Sequence, residues 1–256
     1  TFRGKQIMGW MYRPEINEFS QMTDLAKVFR KVLDENAYIS RFLDPIIEKA
    51  SDGCVKFGFR LHDGHIIESV LIPEPDRNTL CISSQVGCAM GCVFCASGLD
   101  GVERNLTQGE ILEQMLKLQQ LLEPDERLSH IVMMGMGEPL LNYNNMLRST
   151  ELICSPEGLG MSPKRITVST AGIAKMIRKL GDDEVKFNLA LSLHAANDKK
   201  RSEIMEINDS NNLDALSEAL VYFHEKTGSR VTYEYIIFKD FNDGMEDARE
   251  LAKFCK

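Results

Sequence analysis

Apolar residues recur at helical spacing along the first part of the chain. They form two groups, Phe2, Ile7, Trp10 and Met11, then Leu25, Val28, Phe29, Val32 and Leu33. This spacing predicts amphipathic helices over residues 3–12 and 23–36. Thr23 is followed three residues later by Ala26 rather than by Glu or Gln, so the second helix has only half of a capping box. We expect a small helical unit over residues 1–45.

Two segments that alternate apolar and polar residues come next, VKFGFRL and IIESVLI, on either side of HDGH. Alternation with a period of two predicts strands, and the Asp63-Gly64 pair suits a tight hairpin turn. We therefore expect a β-hairpin extension over residues 46–75.

From about residue 76 the pattern changes to short apolar runs separated by amphipathic segments such as TQGEILEQMLKLQQLL. The runs are TLCISS, HIVMMG, RITVST, FNLALSL and VTYEYIIF. Strands interleaved with helices predict an α/β fold with a parallel sheet or barrel over residues 76–256. The sequence ends in a helical pattern, where another strand would ordinarily follow, and it does not begin with Met. We expect it to be trimmed at both ends.

The composition is 43% hydrophobic and 27% charged, which is typical of a globular protein. No apolar run approaches the ~20 residues of a membrane helix, and the first residues lack a signal-peptide pattern. We expect a cytoplasmic protein without a membrane partner. The net charge of −8 argues against a surface covered in nucleic acid, although the chain up to Lys31 is mildly basic. Solvated helix faces are the favoured explanation of that local excess.

The most informative pattern is CISSQVGCAMGCVFC, which holds four of the seven cysteines. Cys88, Cys92 and Cys95 follow the first strand of the parallel region, where βα loops build the site of a barrel. A structural zinc site usually uses two separated cysteine pairs, and no second pair follows. Three thiolates without a fourth suit a 4Fe-4S cluster with one open iron, whereas chance spacing is the remaining explanation. The isolated cysteines are expected to be buried apolar residues: Cys54, Cys154 and Cys255.

Glycines and polar residues, with Leu193 between two of them, stand at the ends of the second, third and fourth strands: Gly135, Gly137, Glu138, Ser169, Ser192, Leu193 and His194. Glycines allow close backbone approach, and a carboxylate can hold an ammonium group. Each residue alone fits an ordinary strand end. Their shared position predicts that they converge on one mouth of the sheet.

The CxxxCxxC motif, with Phe94 before its last cysteine, resembles that of the radical S-adenosylmethionine (SAM) superfamily. Whole phrases, including ESVLIPEPDRNTLCISSQVGCAMGCVFCASGLDGVERNLTQGEI, MGMGEPLLNY, ITVSTAGI and LSLHAANDKKRSEIMEIN, are similar to the RlmN/Cfr family, which methylates an RNA adenine. FRGKQIMGWMY resembles the RNA-binding accessory domain of that family. The resemblance covers essentially the whole chain and implies a partial (βα)6 barrel.

The resemblance also implies the chemistry. SAM would bind the open iron of the cluster, near Gly137, Glu138, Ser169 and the segment 192–194, and an electron would cleave it to a carbon radical. A methylated C-terminal cysteine would then carry the new carbon to adenine. Cys81 matches the cysteine that resolves the resulting protein–RNA crosslink by forming a disulfide.

Glu68 matches the general base of the family. Its neighbours Ile67 and Val70 are apolar, so a buried carboxylate with a raised pKa and a solvent-exposed one both fit the alternation.

The implied substrates are 23S rRNA, at C2 of an adenosine in the peptidyl transferase centre, and tRNA, at the adenosine 3′ of the anticodon. The implied electron donor is a protein such as flavodoxin. The family continues beyond the sequence given with a sixth strand, which carries an Asn that contacts SAM, and with the methyl-carrying cysteine; Cys255 should not be given that role. We expect these 256 residues to assemble a cluster and to cleave SAM without transferring a methyl group.

Three alternatives stay open. The product could be C8-methyladenine, as in the antibiotic-resistance branch of the family. The three cysteines could hold a structural metal in a non-catalytic RNA-binding protein. A radical enzyme that acts on a small metabolite is the third, but it gives the helical N-terminal unit no role.

Overall fold

The computed structural model describes residues 2–13, 15–39, 41–123, 126–156 and 158–256. The strands in these ranges are β1 (Ile46–Lys49), β2 (Val55–Arg60), β3 (Ile66–Glu74), β4 (Arg77–Cys81), β5 (Gln85–Gly87), β6 (Val102–Asn105), β7 (His130–Met133), β8 (Ile166–Thr170), β9 (Asn188–Ser192) and β10 (Val231–Glu234). The helices are α1 (Phe2–Met11), α2 (Lys27–Asn36), α3 (Gln108–Leu121), α4 (Tyr143–Cys154), α5 (Ala174–Asp182), α6 (Asp198–Ile204), α7 (Leu213–Thr227) and α8 (Met245–Phe254).

An eight-stranded mixed sheet organises the fold in the order β1-β2-β3-β4-β7-β8-β9-β10. The first four strands pair antiparallel, and β4, β7, β8, β9 and β10 pair parallel. Leu80 of β4 lies beside Ile131 of β7, and both side chains are fully buried in the main core. The predicted α/β fold with five parallel strands is confirmed, and the carboxyl ends of these strands meet at one edge of the sheet.

The predicted hairpin is also confirmed, with Gly64 at a φ of +90° in its turn. β1, which adds to the outer edge of this hairpin, was not predicted. Its four residues are all exposed, so no buried apolar face marks this strand in the sequence. β3 runs into β4 by a short turn at residues 75–76, so the hairpin and the parallel strands share one continuous sheet.

The last predicted strand ends four residues early, at Glu234. Beyond that point the backbone N–H of Ile236 donates to Nδ1 of His194, and the N–H of Phe238 donates to the side chain of Asn242. The apolar run is thus diverted from the sheet because polar side chains take its backbone hydrogen bonds.

The N-terminal helices enclose a small core of their own, built from Ile16, Phe19, Met22 and Leu25. α1 forms close to the predicted range, but α2 begins at Lys27 rather than at residue 23. Met22 and Leu25 enter this core from a non-helical segment, and the helix starts only after them. Val28 and Val32, which were expected on the apolar face, are exposed.

A buried ion pair joins the N-terminal unit to α3. Nη1 of Arg41 lies 2.9 Å from Oε2 of Glu113, and both side chains are largely buried. Nη2 of Arg41 also donates to the carbonyls of Met11 and Ile16, while Glu113 accepts from the N–H of Phe42. Removing one partner of such a pair leaves a buried charge uncompensated, at a cost of about 3–5 kcal/mol. This pair therefore fixes how the helical unit sits on α3.

The helix α3 begins with a complete capping box, in which Thr107 and Glu110 exchange hydrogen bonds. Gln114 of this helix is fully buried and bonds both backbone groups of Ser83, just after β4. These bonds fix the segment that leads into the cysteine motif. No helix among the described residues is long and apolar enough to cross a membrane.

Candidate active site

A cavity of about 200 Å³ lies at the carboxyl ends of β7, β8 and β9. Most residues singled out from the sequence line it, namely Cys88, Cys92, Cys95, Gly135, Gly137, Glu138, Ser169, Ser192 and His194. Thioethers add to its wall from Met90, Met133, Met134 and Met205. The expected convergence on one mouth is therefore observed as geometry, and the roles of these residues remain predictions.

The cysteine loop is anchored at its base by a small hairpin of β5 and β6, which was not predicted. The N–H of Cys88 donates to the carbonyl of Gly101 at 2.8 Å, and the N–H of Cys95 donates to that of Cys92 at 3.0 Å. A Cβ at Gly87 would lie 2.1 Å from the Gly101 carbonyl oxygen, so only glycine fits where the loop closes. The backbone thus turns all three thiols toward the cavity.

Burial raises the pKa of two thiols of the loop, those of Cys88 and Cys92. Burial raises the pKa of Cys88, although N–H groups of Met90 and Gly137 oppose the shift. Burial, followed by the charges of Cys88 and Cys95, raises the pKa of Cys92 to about 11. Bringing these groups together as thiolates therefore requires a strong local positive charge, as a bound metal supplies.

Within the described ranges, no three His, Cys, Asp or Glu side chains lie close enough to ligate one metal ion. A 4Fe-4S cluster does not require such convergence, because each thiolate binds a different iron. The three thiols line one cavity, and this arrangement suits a cluster in which each thiolate binds a different iron.

Gly135 and Gly137 serve a close approach between two backbone segments. A Cβ at Gly135 would lie 2.8 Å from the Ile82 carbonyl oxygen, and one at Gly137 would lie 2.6 Å from Cβ of Gln85. The φ of Gly137 is +100°, which side chains rarely tolerate. The glycines therefore press the loop after β7 against the segment after β4, and this contact places Glu138 at the cavity.

Glu138 is a buried carboxylate, with only 2% of the residue exposed. One oxygen accepts from the N–H of Leu140 at 3.0 Å and the other from that of Ala171 at 2.7 Å, with a further bond from Thr170. Burial nevertheless raises the pKa of Glu138 to about 7. A carboxylate has about four acceptor positions, so Glu138 can still bind a cationic group from the cavity. Because the carboxylate is buried, such a group would stabilise its charged form.

The strand β9 is followed by a strained turn that contains His194. This residue has a φ of +55°, and its carbonyl accepts from the Asn242 side chain at 2.7 Å. The ring packs edge-on against Phe94 at 4.9 Å between centroids. Ser169 and Ser192 lie side by side, 3.4 Å apart between their hydroxyl oxygens. Leu193 differs from the other candidates, because its side chain is fully buried in the main core and any cofactor contact would come from its backbone.

His194 should give the protein a specific loss of stability in acid. Burial, with a smaller contribution from the Arg201 charge, lowers the pKa of His194 from 6.5 to about 4. Below pH 6.5 the unfolded chain therefore takes up a proton that the folded chain refuses, and this stability is lost as the pH falls toward 4.

We expect the stability difference between the wild type and His194→Gln to shrink by about 1.4 kcal/mol from pH 7.5 to pH 5.5. Urea unfolding of both proteins at the two pH values measures it. A difference that is constant or grows toward pH 5.5 would show that His194 is already protonated in the folded state.

Cys81 and Glu68 lie beside the cavity rather than in its wall. Cys81 pairs with Val70 of β3, so Cys81 and Glu68 share the sheet face opposite to α3. The Cys81 thiol accepts the N–H of Met134, a cavity residue, and burial raises its pKa to about 11. Glu68 proves solvent-exposed, with 50% of its side chain accessible and Nζ of Lys56 3.3 Å away. The sequence left a buried and a solvent-exposed environment open for Glu68, and the structure supports the exposed environment.

Three side chains that support the site were not predicted, namely Thr170, Arg201 and Asn242. Thr170 bonds Glu138, and Asn242 joins the loop after β10 to His194. Arg201 occurs in the phrase LSLHAANDKKRSEIMEIN, but charged residues on a surface helix are ordinarily solvated. No sequence pattern marks it as buried.

Comparisons with known proteins agree along the whole chain. Residues 82–255 match the Radical SAM superfamily, and residues 1–39 match the ribosomal RNA large subunit methyltransferase N-terminal domain. A "Dual-specificity RNA methyltransferase RlmN" of Desulfotalea psychrophila is 54% identical over 261 residues, covering 99% of this chain and 72% of the relative. A "Probable dual-specificity RNA methyltransferase RlmN" of Cytophaga hutchinsonii is 51% identical, covering 100% of this chain and 71% of the relative.

Among solved structures, a radical SAM methyltransferase from Sphaerobacter thermophilus superposes with a TM-score of 0.92 at 39% identity, covering 100% of this chain and 75% of that one. Fold, cysteine loop and strand-end cavity together define a member of the radical SAM superfamily. Within that superfamily the chain belongs to the RlmN family of RNA methyltransferases. The family resemblance of the sequence and the expected fold class are thus confirmed.

Proposed function

We propose that this protein methylates C2 of an adenosine in the peptidyl transferase centre of 23S rRNA and of the adenosine 3′ of the anticodon in tRNA, by way of a methylated cysteine. The observation that carries the proposal is the single cavity in which three cysteines of one loop meet the ends of three parallel strands. Identity of about half of all residues with RlmN proteins supports the same reaction on the same class of substrate.

A 4Fe-4S cluster and SAM are the proposed cofactors. The donor set fits a cluster, because Cys88, Cys92 and Cys95 line one cavity and thiolates are the usual ligands of such clusters. Nδ1 of His194 accepts the N–H of Ile236, so this nitrogen is not poised as a fourth ligand. When bound, the pair supplies a carbon radical able to attack an electron-poor ring carbon.

The residues of the chain bind and orient SAM in this proposal. Glu138 offers a buried carboxylate to its amino group, a contact that stabilises the charged form of both partners. Ser169, Ser192 and the backbone of the segment 192–194 supply neutral hydrogen-bonding groups at the strand ends. The four methionines exclude water from the wall, which protects a reactive radical.

Cys81 and Glu68 are proposed to finish the reaction. They lie on one face of neighbouring strands beside the cavity, within reach of a base that enters it. The exposed Glu68 carboxylate is proposed to accept the ring proton, and Nζ of Lys56, 3.3 Å away, holds it in place. Burial keeps the Cys81 thiol protonated and protected until it resolves the crosslink.

We also propose a division of labour along the chain. Residues 1–45 would form the RNA-binding accessory domain, 46–75 a hairpin extension and 76–256 the radical SAM core. The separate core of the helical unit supports the first boundary. Because its proposed partners are RNA substrates and a one-electron donor such as flavodoxin, we propose that the protein acts in the cytoplasm.

Nucleoside analysis of cells with and without the gene tests the function. Deletion should remove 2-methyladenosine from 23S rRNA and from tRNA, as read by mass spectrometry. A gene copy with Cys154→Ala should restore the mark, whereas a copy with Cys92→Ala should not. Loss of 8-methyladenosine instead would establish the C8 alternative, and unchanged RNA would refute RNA methylation by this protein.

A further inference from the structure

Arg201 is a fully buried arginine that has no acidic partner. Its residue exposure is 0%, and no ion pair within 4.0 Å involves it among the residues that the structure describes. Lys and Arg are almost never fully buried without a paired charge. An unpaired guanidinium in a core costs free energy, so this position calls for an explanation.

Every hydrogen bond of Arg201 goes to a neutral oxygen. Nη2 donates to the carbonyls of Ala171 and Ser192, Nε donates to that of Leu193, and Nη1 donates to the side chain of Asn208. These bonds tie together the ends of β8 and β9 and satisfy the donors, but they leave the charge uncompensated. Asp198, a carboxylate whose charge acts on Arg201, bonds Asn208 rather than the guanidinium.

Arg201 is bonded to an apolar cluster that borders the cysteine loop. Ala171, whose carbonyl binds Arg201, belongs to a small apolar cluster against which Cys92 and Phe94 pack. The backbone N–H of Val93, next to Cys92, also donates to the carbonyl of Ile204 at 3.1 Å, so the loop is bonded to the helix that carries Arg201. The negative charge that would balance Arg201 is therefore expected at the cysteines.

We propose that Arg201 is a positioning residue for the iron–sulfur cluster, whose buried positive charge offsets the charge of the three-thiolate cluster and favours its one-electron reduction. This inference rests on the cluster of the proposed function. A cluster core of charge +2 with three thiolates carries −1 in total, and one electron from an external donor brings it to −2. A fixed cation in a low-dielectric wall stabilises the second state more than the first.

The test is the midpoint potential of the reconstituted cluster, measured by anaerobic titration with dithionite and followed by electron paramagnetic resonance. Arg201→Gln should lower the reduced-to-oxidised ratio at a fixed potential by about tenfold, which is 59 mV for one electron. Arg201→Lys keeps the charge and should stay near the wild type. Arg178→Gln removes an exposed, ion-paired arginine and controls for net charge.

A second variant guards against misfolding of Arg201→Gln. The exchange D198N/N208D leaves net charge and side-chain size unchanged but places a carboxylate on Nη1 of Arg201, so it should also shift the potential in the negative direction. Equal potentials in the wild type, Arg201→Gln and the exchange variant, or an equal shift in Arg201→Lys and Arg201→Gln, would overturn the proposal. Failure of the wild type to bind iron and sulfide would instead overturn the proposed function.

Discussion

Replacing Cys88, Cys92 or Cys95 with Ala will abolish the iron–sulfur cluster and reduce the reductive cleavage of SAM at least 100-fold. Each thiol lines the same cavity, and in the proposed cluster one iron already lacks a protein ligand, so no spare thiolate can replace a missing one. The measurements are iron and sulfide content after anaerobic reconstitution and the release of 5′-deoxyadenosine with dithionite as the reductant.

Cys154→Ala is the matched control. Cys154 is partly buried and lines a different cavity, beside Pro163 and Phe187. This variant should keep a full complement of iron and sulfide. A cluster of normal content in any one of the three loop variants, or its loss in Cys154→Ala, would assign the wrong ligands.

Gly137→Ala will destabilise the protein by about 3 kcal/mol and remove SAM cleavage with it. The new Cβ would lie 2.6 Å from Cβ of Gln85 and 2.8 Å from its backbone nitrogen, at a φ of +100°. Relief requires the loop to move away from the segment after β4, which would carry Glu138 out of the cavity. Urea unfolding and the release of 5′-deoxyadenosine report the two effects.

Gly160→Ala separates crowding from backbone strain. Gly160 also has a positive φ, of +63°, but nothing lies within 4 Å of its added Cβ. It should cost only about 1 kcal/mol and leave cleavage intact. If the two substitutions prove equally mild, the contact between the loop and Gln85 is not what holds Glu138.

The sequence was informative where function depends on backbone order. Strand ends in a parallel sheet meet at one edge whatever their side chains, so Glu138, Ser169 and His194 could be brought together from the order of strands alone. The spacing of the three cysteines predicted that the loop after β4 belongs to the same site. β1 and the β5–β6 hairpin could not be foreseen, because short strands with exposed or irregular burial leave no periodic signal.

Sequence periodicity did not predict which polar side chains are buried. The alternation in β3 left two environments for Glu68, and only the packed fold decides that its carboxylate is exposed beside Lys56. Arg201 has the opposite outcome, since a helix that looks solvated places its guanidinium in the core. The reason for glycine at positions 135 and 137 is likewise visible only in the packed fold, because the atoms that Gly135 and Gly137 approach belong to a segment about fifty residues away.

The central claim is that one iron of the cluster has no protein ligand and accepts SAM. The most direct measurement is electron–nuclear double resonance on the reduced protein mixed with SAM labelled with ¹⁵N and ¹⁷O in its methionine part. We predict hyperfine coupling from both the amino nitrogen and a carboxylate oxygen of SAM to the cluster. Coupling to a protein nitrogen such as that of His194, with none from the labels, would contradict the account.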